Sequence, residues 1–237
     1  MSPASFRPVR VSAMYEAHVA LGARFTDDGD WRVPDAYTSP AVEAERSLAG
    51  VGLADTSACG KLVVRGEAID ALLAKLAATD GLAVGTAVRG RVDGGGVLAA
   101  RLASDELLVL TSVAETPAVT EALEVAAAGV GCAHVTDLTS GMAVLDLIGP
   151  RVDALLAKVV PLDLSPAAVA PLAVVQGALA GVPAILIRLD PMSAFAFRVL
   201  VPRESGAFVW EALSDAGREL GLVPVGAAAR VRLETGG

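Results

Sequence analysis

The sequence predicts an α+β fold of two related halves, each an antiparallel sheet with helices. Short apolar strands alternate with leucine- and alanine-rich helices, and glycine-rich turns join neighbouring strands. The segment from Arg65 to Leu73 also parallels the segment from Ile148 to Leu156: each has a strand end, a glycine turn and a helix with two consecutive leucines. This repeat indicates an internal duplication.

The two halves are expected to form a single domain over residues 1–237. We expect an N-terminal helix and loop in residues 1–40, a first half in residues 41–130 and a second half in residues 131–237. Because 54% of the residues are hydrophobic and only 4% are aromatic, the core must consist mainly of Ala, Val and Leu.

Charge and hydropathy exclude several classes of protein. The formal net charge is −8 and no cluster of Lys and Arg occurs, so we expect no nucleic-acid partner. No apolar stretch reaches the roughly 20 residues that cross a bilayer, and no secretory signal is recognisable, so we expect a cytoplasmic protein without membrane contact. Cys59 and Cys132 have no Cys or His at metal-ligand spacing, so no metal site is expected.

The first 40 residues are predicted to form a helix and a loop. Residues 10–23 have helical apolar spacing that ends near Gly22, and His18 is expected on the helix surface, packed inside or lining a site. Residues 25–37 contain an acidic, glycine-containing run typical of a loop. Trp31 indicates that this loop folds back over the domain, to pack or to line a pocket.

The first half is predicted to contain three helices and four strands. Asp55 to Ser57 favour a turn, in which Asp55 is expected to brace the backbone. A glycine-rich hairpin turn over residues 93–96 joins the second and third strands. The elements are helix 41–49, strand 61–65, helix 67–78, strands 86–92, 97–103 and 107–111, and helix 116–128.

The second half is predicted to repeat this arrangement. Its strands are rich in β-branched residues, and its last helix is amphipathic. Residues 224–237 end the chain in Ala- and Gly-rich sequence. The elements are strands 134–137 and 142–148, helix 151–159, strands 173–179, 184–189 and 195–201, and helix 205–220.

Several short motifs occur in a characteristic order from Tyr15 onward. They include Gly22-Ala23-Arg24-Phe25, Gly52-Leu53-Ala54-Asp55-Thr56-Ser57, Gly95-Gly96-Val97-Leu98, Leu147-Ile148-Gly149-Pro150 and Arg230-Val231-Arg232-Leu233-Glu234-Thr235-Gly236. In order and spacing the sequence resembles the aminomethyltransferase (T-protein) family of glycine cleavage and its folate-binding relatives. The resemblance implies a folate-binding domain that holds tetrahydrofolate and transfers a one-carbon group from a small-molecule amine or methyl donor.

The resemblance also exposes departures at the positions that carry the family's chemistry. The acidic pair that supports the folate nitrogen falls on Ala99 and Ala100, so the catalytic residues are unknown. The glutamate that recognises the pterin falls on Arg198, which offers donors only. We therefore expect any tetrahydrofolate site to be weak.

The same resemblance assigns the remaining cofactor-binding candidates. Cys59 takes the place of a methionine that touches folate, and Thr111 and Ser112 take the place of an Asn that contacts the ligand. Asp190 lies near the former pterin site, and Arg230 matches the closing arginine pattern of the family when a gap is allowed.

Three functions stay open at this point. The first is a folate-dependent aminomethyl- or methyltransferase with an altered site. The second is a non-catalytic subunit of a larger oxidase or transferase, because the sequence resembles the small (gamma) subunit of heterotetrameric sarcosine oxidase and has no counterpart of the C-terminal barrel of the T-protein. The third is a family pocket that serves another ligand or reaction.

Overall fold

The computed structural model describes residues 9–67, 69–75, 81–189 and 194–235. Its main feature is a pair of sheets, one of six strands and one of five, that enclose an inner layer of apolar side chains. Helices cover the outer face of each sheet. This arrangement confirms the predicted α+β fold class with antiparallel sheets.

The N-terminal segment forms a small sheet beside the two main ones. Residues 25–37 do not form the predicted loop. The acidic run forms an exposed strand, and only the residues between it and its partner strand form a turn. Trp31 and Pro34 on the partner strand are buried. The predicted first helix is shorter than expected. The elements are β1 Arg10–Val11, α1 Tyr15–Ala20, β2 Arg24–Asp28, β3 Trp31–Ala36, α2 Pro40–Ala49 and β4 Val51–Asp55.

The first half agrees with the sequence prediction in the order of its elements. Strand β4 was not predicted, because Gly52 and the following Asp-Thr-Ser turn obscure its apolar pattern. The helix predicted over residues 67–78 is described at Ile69–Lys75, and its predicted end lies outside the described residues. The elements are β5 Gly60–Gly66, α3 Ile69–Lys75, β6 Ala87–Val92, β7 Gly95–Ala103, β8 Glu106–Thr111 and α4 Thr116–Ala128.

The second half repeats the first and adds a strand and a helix at its end. The sequence predicts no element after residue 220, but Pro224 lies in an edge strand, where proline is tolerated, and the alanines that follow form a helix. The elements are β9 Ala133–Asp137, β10 Met142–Ile148, α5 Val152–Val159, β11 Val174–Leu179, β12 Val182–Leu189, β13 Ala196–Pro202, α6 Gly206–Gly217, β14 Leu222–Val225 and α7 Ala227–Thr235.

The two halves have the same strand order, and each gives one strand to the other. The five-stranded sheet runs β6-β7-β8-β5-β9, and the six-stranded sheet runs β11-β12-β13-β10-β4-β14. Thus β4, which precedes β5, pairs with β10, while β9, which precedes β10, pairs with β5. The predicted duplication therefore has a structural counterpart, and the boundary between residues 130 and 131 stays a prediction.

Each exchanged strand is held by an equivalent hydrogen bond at its end. After β4, the hydroxyl of Ser57 accepts the backbone N–H of Val144 at 3.0 Å. After β9, the hydroxyl of Thr139 accepts the backbone N–H of Lys61 at 3.1 Å. Both hydroxyls belong to turns that an aspartate braces, because Asp55 and Asp137 each accept a backbone N–H two residues on.

The glycine after each repeated strand is required by close packing. A Cβ on Gly66 would lie 2.1 Å from the carbonyl oxygen of Cys132, next to the start of β9. A Cβ on Gly149 would lie 2.4 Å from the carbonyl oxygens of Ser47 and Gly50, next to the start of β4. The exchanged strands approach the sheet at these two points.

The helices and the inner layer supply the apolar core. Helices α3 and α4 pack on the outer face of the five-stranded sheet, and α5 and α6 pack on that of the six-stranded sheet. Between the sheets, Leu98 and Leu110 meet Ile148 and Leu200, while α7 adds Leu233. Each fully buried leucine contributes roughly 1.5–3 kcal/mol of transfer free energy.

The close packing at Gly149 can be tested by measuring the free energy of unfolding. We expect Gly149→Ala to lower the free energy of unfolding by about 1–3 kcal/mol more than Gly181→Ala, because only the first adds a steric clash. Both glycines have positive φ, +141° and +83°, but nothing lies within 4 Å of a Cβ at Gly181. Urea denaturation of both variants tests this, and equal losses would contradict it.

Candidate functional site

A cleft of about 590 Å³ opens between the two sheets and is the candidate functional site. Strands β6, β7 and β8 form one wall, and β13 and α7 form the other. We call it the arginine cleft, because four arginines line it: Arg89, Arg91, Arg198 and Arg230.

The structure brings most of the predicted cofactor-binding residues to this cleft. Cys59, Thr111, Ser112, Arg198 and Arg230 all line it. Their sequence positions are far apart, and they meet because the ends of β8 and β13 face the loop between β4 and β5. The last candidate, Asp190, lies outside the described residues.

A buried ion-pair cluster lies at the inner end of the arginine cleft. On β10, Asp146 is flanked by apolar residues, and the strand turns its side chain into the inner layer, where it is fully buried. Arg198 is directly opposite on β13, and its Nε and Nη2 donate to the two carboxylate oxygens at 2.7 and 2.8 Å. From α7, Nε of Arg230 donates to Oδ2 at 2.8 Å, and its Nη2 donates to Glu234 at 2.7 Å.

The charges in this cluster determine its protonation state. Burial alone would raise the pKa of Asp146, but the charges and hydrogen bonds of Arg198 and Arg230 outweigh burial and hold this pKa at about 2. Burial opposes the charged form of Arg198 as well, yet the adjacent Asp146 raises the pKa of the guanidinium. Asp146 and Arg198 are therefore both ionised at neutral pH.

One wall of the cleft is closed by hydrogen bonds around Glu115. Its carboxylate accepts the hydroxyl of Ser112 at 2.7 Å and the backbone N–H of Gly96 at 3.1 Å. Thr111 donates to the carbonyl oxygen of Gly96 at 3.0 Å. These bonds join the end of β8 to the start of β7, and those with Ser112 and Gly96 lower the pKa of Glu115.

The positions of the family's acidic pair do not form a pair in this fold. Ala99 and Ala100 are successive residues of β7, so their Cβ atoms point to opposite faces of the sheet. Ala100 packs in the inner layer and Ala99 packs with the outer cluster. Both side chains are buried.

The loop that places Cys59 in the cleft is anchored by a buried lysine, Lys61. The ammonium group of Lys61 donates to the carbonyl oxygen of Ser57 at 2.6 Å and lies 5.9 Å from the centre of the Trp31 ring. Burial lowers the pKa of Lys61. Trp31 is itself buried, so it packs on this lysine and also lines a neighbouring cleft.

A buried cluster of three side chains, His18, Asp55 and Tyr37, holds the end of β4 in place. Nε2 of His18 lies 2.9 Å from Oδ2 of Asp55, and its Nδ1 lies 2.9 Å from the hydroxyl of Tyr37. A carboxylate only accepts, so in the neutral imidazole Nε2 carries the hydrogen and Nδ1 accepts the tyrosine hydroxyl. Burial would raise the pKa of Asp55, but the hydrogen bond from His18, with those from Ser12 and Ser57, helps to lower it. His18 is thus a buried bracing residue.

Sequence reasoning missed two acidic residues at the arginine cleft, Asp146 and Glu115. Asp146 could have been found, because a charged residue inside an apolar strand must be paired when the strand is buried. Glu115 could not, because it precedes a helix. A third, Glu234, was identified only as part of the closing motif, without the ion pair that it forms with Arg230.

The described residues contain no group of three or more His, Cys, Asp or Glu side chains placed to hold a metal ion. Within the same residues, no helix is both long enough and apolar enough to span a bilayer.

Comparison with known proteins adds sequence evidence to this geometry. The family model of the GCVT N-terminal domain matches residues 14–237. The aminomethyltransferase of Streptomyces coelicolor is 32% identical over 242 residues, which cover 96% of this chain and 63% of that protein. The aminomethyltransferase of Saccharopolyspora erythraea is 33% identical over 240 residues, with 96% and 64% coverage. The chain therefore spans 63–64% of the length of these curated relatives.

Two solved structures are similar in fold. The glycine cleavage system aminomethyltransferase T from Bartonella henselae has a TM-score of 0.83 and 22% identity, over 95% of this chain and 62% of that chain. A chain of the heterotetrameric sarcosine oxidase from Corynebacterium sp. U-96 has a TM-score of 0.64 and 27% identity, over 79% of this chain and 98% of that chain.

The ion-pair cluster is expected to contribute strongly to stability. Asp146→Asn leaves two arginines without the charge they share, so we expect the free energy of unfolding to fall by about 3–5 kcal/mol at pH 7. The control is Asp215→Asn, which removes an exposed partner of Arg218 and should cost less than about 1 kcal/mol. Similar losses in the two variants, measured by urea denaturation, would refute the buried cluster.

The same carboxylate predicts a specific loss of stability in acid. The pKa of Asp146 is about 2 in the folded protein and near its ordinary 3.8 when unfolded, so the unfolded state takes up the proton first as the pH falls. The contribution is complete above about pH 4 and is lost towards pH 2. The stability difference between the wild type and Asp146→Asn should therefore shrink by on the order of 2 kcal/mol between pH 6 and pH 2. A constant difference would contradict this assignment.

Proposed function

Because the chain belongs to the family of the GCVT N-terminal domain, we propose that it is a tetrahydrofolate-binding domain of the aminomethyltransferase type with an altered catalytic site. The observation that carries this proposal is the arginine cleft, which lies between the sheets and is lined by the residues that the resemblance assigns to the cofactor. The donor would be a small-molecule amine or methyl compound. The cleft is large enough for a small-molecule ligand.

The alteration concerns proton chemistry at the folate nitrogen. Ala99 and Ala100 offer no carboxylate there. The acidic residues that the structure places nearby are engaged instead. Both oxygens of Asp146 accept from guanidinium groups, and both oxygens of Glu115 accept from donors in the wall. Oε1 of Glu234 accepts from Arg230. Such bonds stabilise the ionised form and make a carboxylate a poor general base at neutral pH. Transfer by this domain alone is therefore proposed to be slow.

The alteration also concerns recognition of the pterin. The N–H groups of a pterin need acceptors, whereas Arg198 presents donors. Arg198 is held in place by Asp146, so turning away would break both of its hydrogen bonds to this buried carboxylate. We therefore propose that tetrahydrofolate binds weakly, if the pterin occupies this end of the cleft.

A second function is favoured by one specific observation. This chain covers 98% of a chain of the heterotetrameric sarcosine oxidase from Corynebacterium sp. U-96. That chain belongs to a heterotetramer. The alternative proposal is that the present chain is a non-catalytic subunit of a larger oxidase or transferase.

Titration with tetrahydrofolate separates the two functions. By calorimetry under anaerobic conditions, the first function predicts binding with a dissociation constant weaker than about 1 µM. Sub-micromolar binding would contradict the argument from Arg198. No binding, together with stoichiometric co-purification of a larger flavoprotein from the native cell, would support the subunit instead. The matched control is Arg218→Gln, an exposed change far from the cleft that should leave binding unaltered.

A further inference from the structure

We propose that a second cleft, apart from the arginine cleft, binds a small organic diamine that also carries a neutral hydrogen-bond acceptor. It is the neighbouring cleft that Trp31 lines, and its volume is about 450 Å³. We call it the acidic cleft, and its charged lining residues are Arg10, Asp30, Glu121, Glu124 and Asp137. Among the residues that the structure describes, none lines both clefts. The proposal therefore goes beyond the function given above and does not depend on it.

The acidic cleft lies where three parts of the chain meet. Strands β1 and β3 of the N-terminal sheet form one wall, the first turns of α4 form another, and the end of β9 forms the third. Its walls therefore come from different elements than those of the arginine cleft, which β6, β7, β8, β13 and α7 surround.

The first support is an excess of negative charge. Nε of Arg10 lies 3.0 Å from Oδ2 of Asp30, so these two charges offset each other. The other three carboxylates, those of Glu121, Glu124 and Asp137, are exposed, and none forms an ion pair within the described part of the chain. A cleft lined by one sign of charge attracts ligands of the other sign.

The buried cation near this cleft does not cancel the excess. Lys61 is fully buried, and its ammonium group interacts with the charge of Asp137. Even when Lys61 is counted against Asp137, the charges of Glu121 and Glu124 remain unbalanced. The cleft therefore still selects a cation.

The second support is a hydrogen-bond donor that lacks an acceptor. Trp31 lines the cleft and is only 2% exposed, yet its indole Nε1–H makes no hydrogen bond to any described residue. This nitrogen is not fully enclosed by protein atoms, so an acceptor can reach it from the cleft. Buried tryptophan N–H groups usually have a partner, and leaving one without a partner is unfavourable. A neutral acceptor on the ligand would supply this partner.

The third support is the direction of the hydroxyl groups on α4. Thr116 donates to the carbonyl oxygen of Ser112 at 2.7 Å, and Thr120 donates to that of Thr116 at 2.8 Å. Since each hydroxyl has one hydrogen, both oxygens can only accept from a ligand. Together with the carboxylates they form a set of acceptors that suits an ammonium group, which has three donors.

The spacing of the carboxylates favours an organic cation over a metal ion. No group of three or more His, Cys, Asp or Glu side chains in the described residues is placed to hold a metal ion, so the carboxylates of this cleft do not converge on one point. An extended cation can meet them at separate points. The expected ligand therefore has two ammonium groups and an amide or hydroxyl oxygen.

Calorimetric titration of the full chain with L-lysinamide, at about pH 6, where both of its amines are protonated, tests this proposal. We expect binding that weakens severalfold as the salt concentration rises, because exposed charges are screened. Cadaverine has both ammonium groups but no carbonyl oxygen, so it should bind severalfold more weakly.

Three results of this titration would overturn the proposal. The first is no binding of L-lysinamide at millimolar concentration. The second is equal affinity for L-lysinamide and cadaverine, which would exclude a role for the acceptor. The third is displacement of L-lysinamide by an equal concentration of Mg²⁺, which would make the cleft a metal site.

A charge variant tests whether the ligand binds in this cleft. Glu124→Gln changes an exposed residue, so it should fold normally, and it should weaken binding of L-lysinamide severalfold. Glu211→Gln is the matched control, because it makes the same change of charge at an exposed position of α6 and should leave the affinity unaltered. Equal losses in the two variants would show attraction to the net charge of the chain only, and would contradict the site.

A second variant tests the indole N–H. Trp31→Phe keeps an aromatic ring but removes the donor, so it should weaken binding of L-lysinamide severalfold and leave binding of cadaverine nearly unchanged. Circular dichroism checks that the variant is folded. An equal effect on the two diamines would contradict the role of Trp31, and if the variant does not fold, the comparison of the two diamines on the wild type decides.

Discussion

The ion-pair cluster of Asp146 with Arg198 and Arg230 is the interaction on which the candidate site depends. It joins two neighbouring strands of the six-stranded sheet to α7, and it lies where the inner apolar layer gives way to the cleft. Removing Asp146 would leave the buried charge of Arg198 without its partner, which costs more than the pair itself contributes. The cluster therefore sets both the position of α7 and the charge that a ligand meets.

The position of the cleft follows from the packing of the sheets. Side chains at alternate positions of each strand face the inner layer. An apolar residue at such a position packs in the core, whereas a charged residue there lines the cleft. Leu200 on β13 is core, and Arg198, two residues earlier on the same face, lines the cleft. The fold is that of the family, and the change of chemistry that we propose concerns only residues at the cleft, as expected when function depends on a site within a fold.

Much of the fold could be predicted from the sequence, because most elements carry a local pattern. Strand β10 and helix α4 were predicted with the bounds that the structure has, since apolar runs and turn residues mark both ends. The hairpin of β2 and β3 was missed because acidic residues were assumed to exclude strands, although an exposed edge tolerates them. The site was predicted only in part, because the pairing of Asp146 with Arg198 depends on strand register, which no local pattern reveals.

The exchange of β4 and β9 constrains how such a molecule could arise and fold. In a single repeat, the leading strand would not pair with the repeat's own sheet. The edge strand of that sheet, β5 or β10, would then lack a partner. Two copies that traded leading strands would cover both edges at once, which is the arrangement of a domain-swapped homodimer. Fusing the copies into one chain would make this dimer permanent, so neither repeat is expected to be an autonomous folding unit.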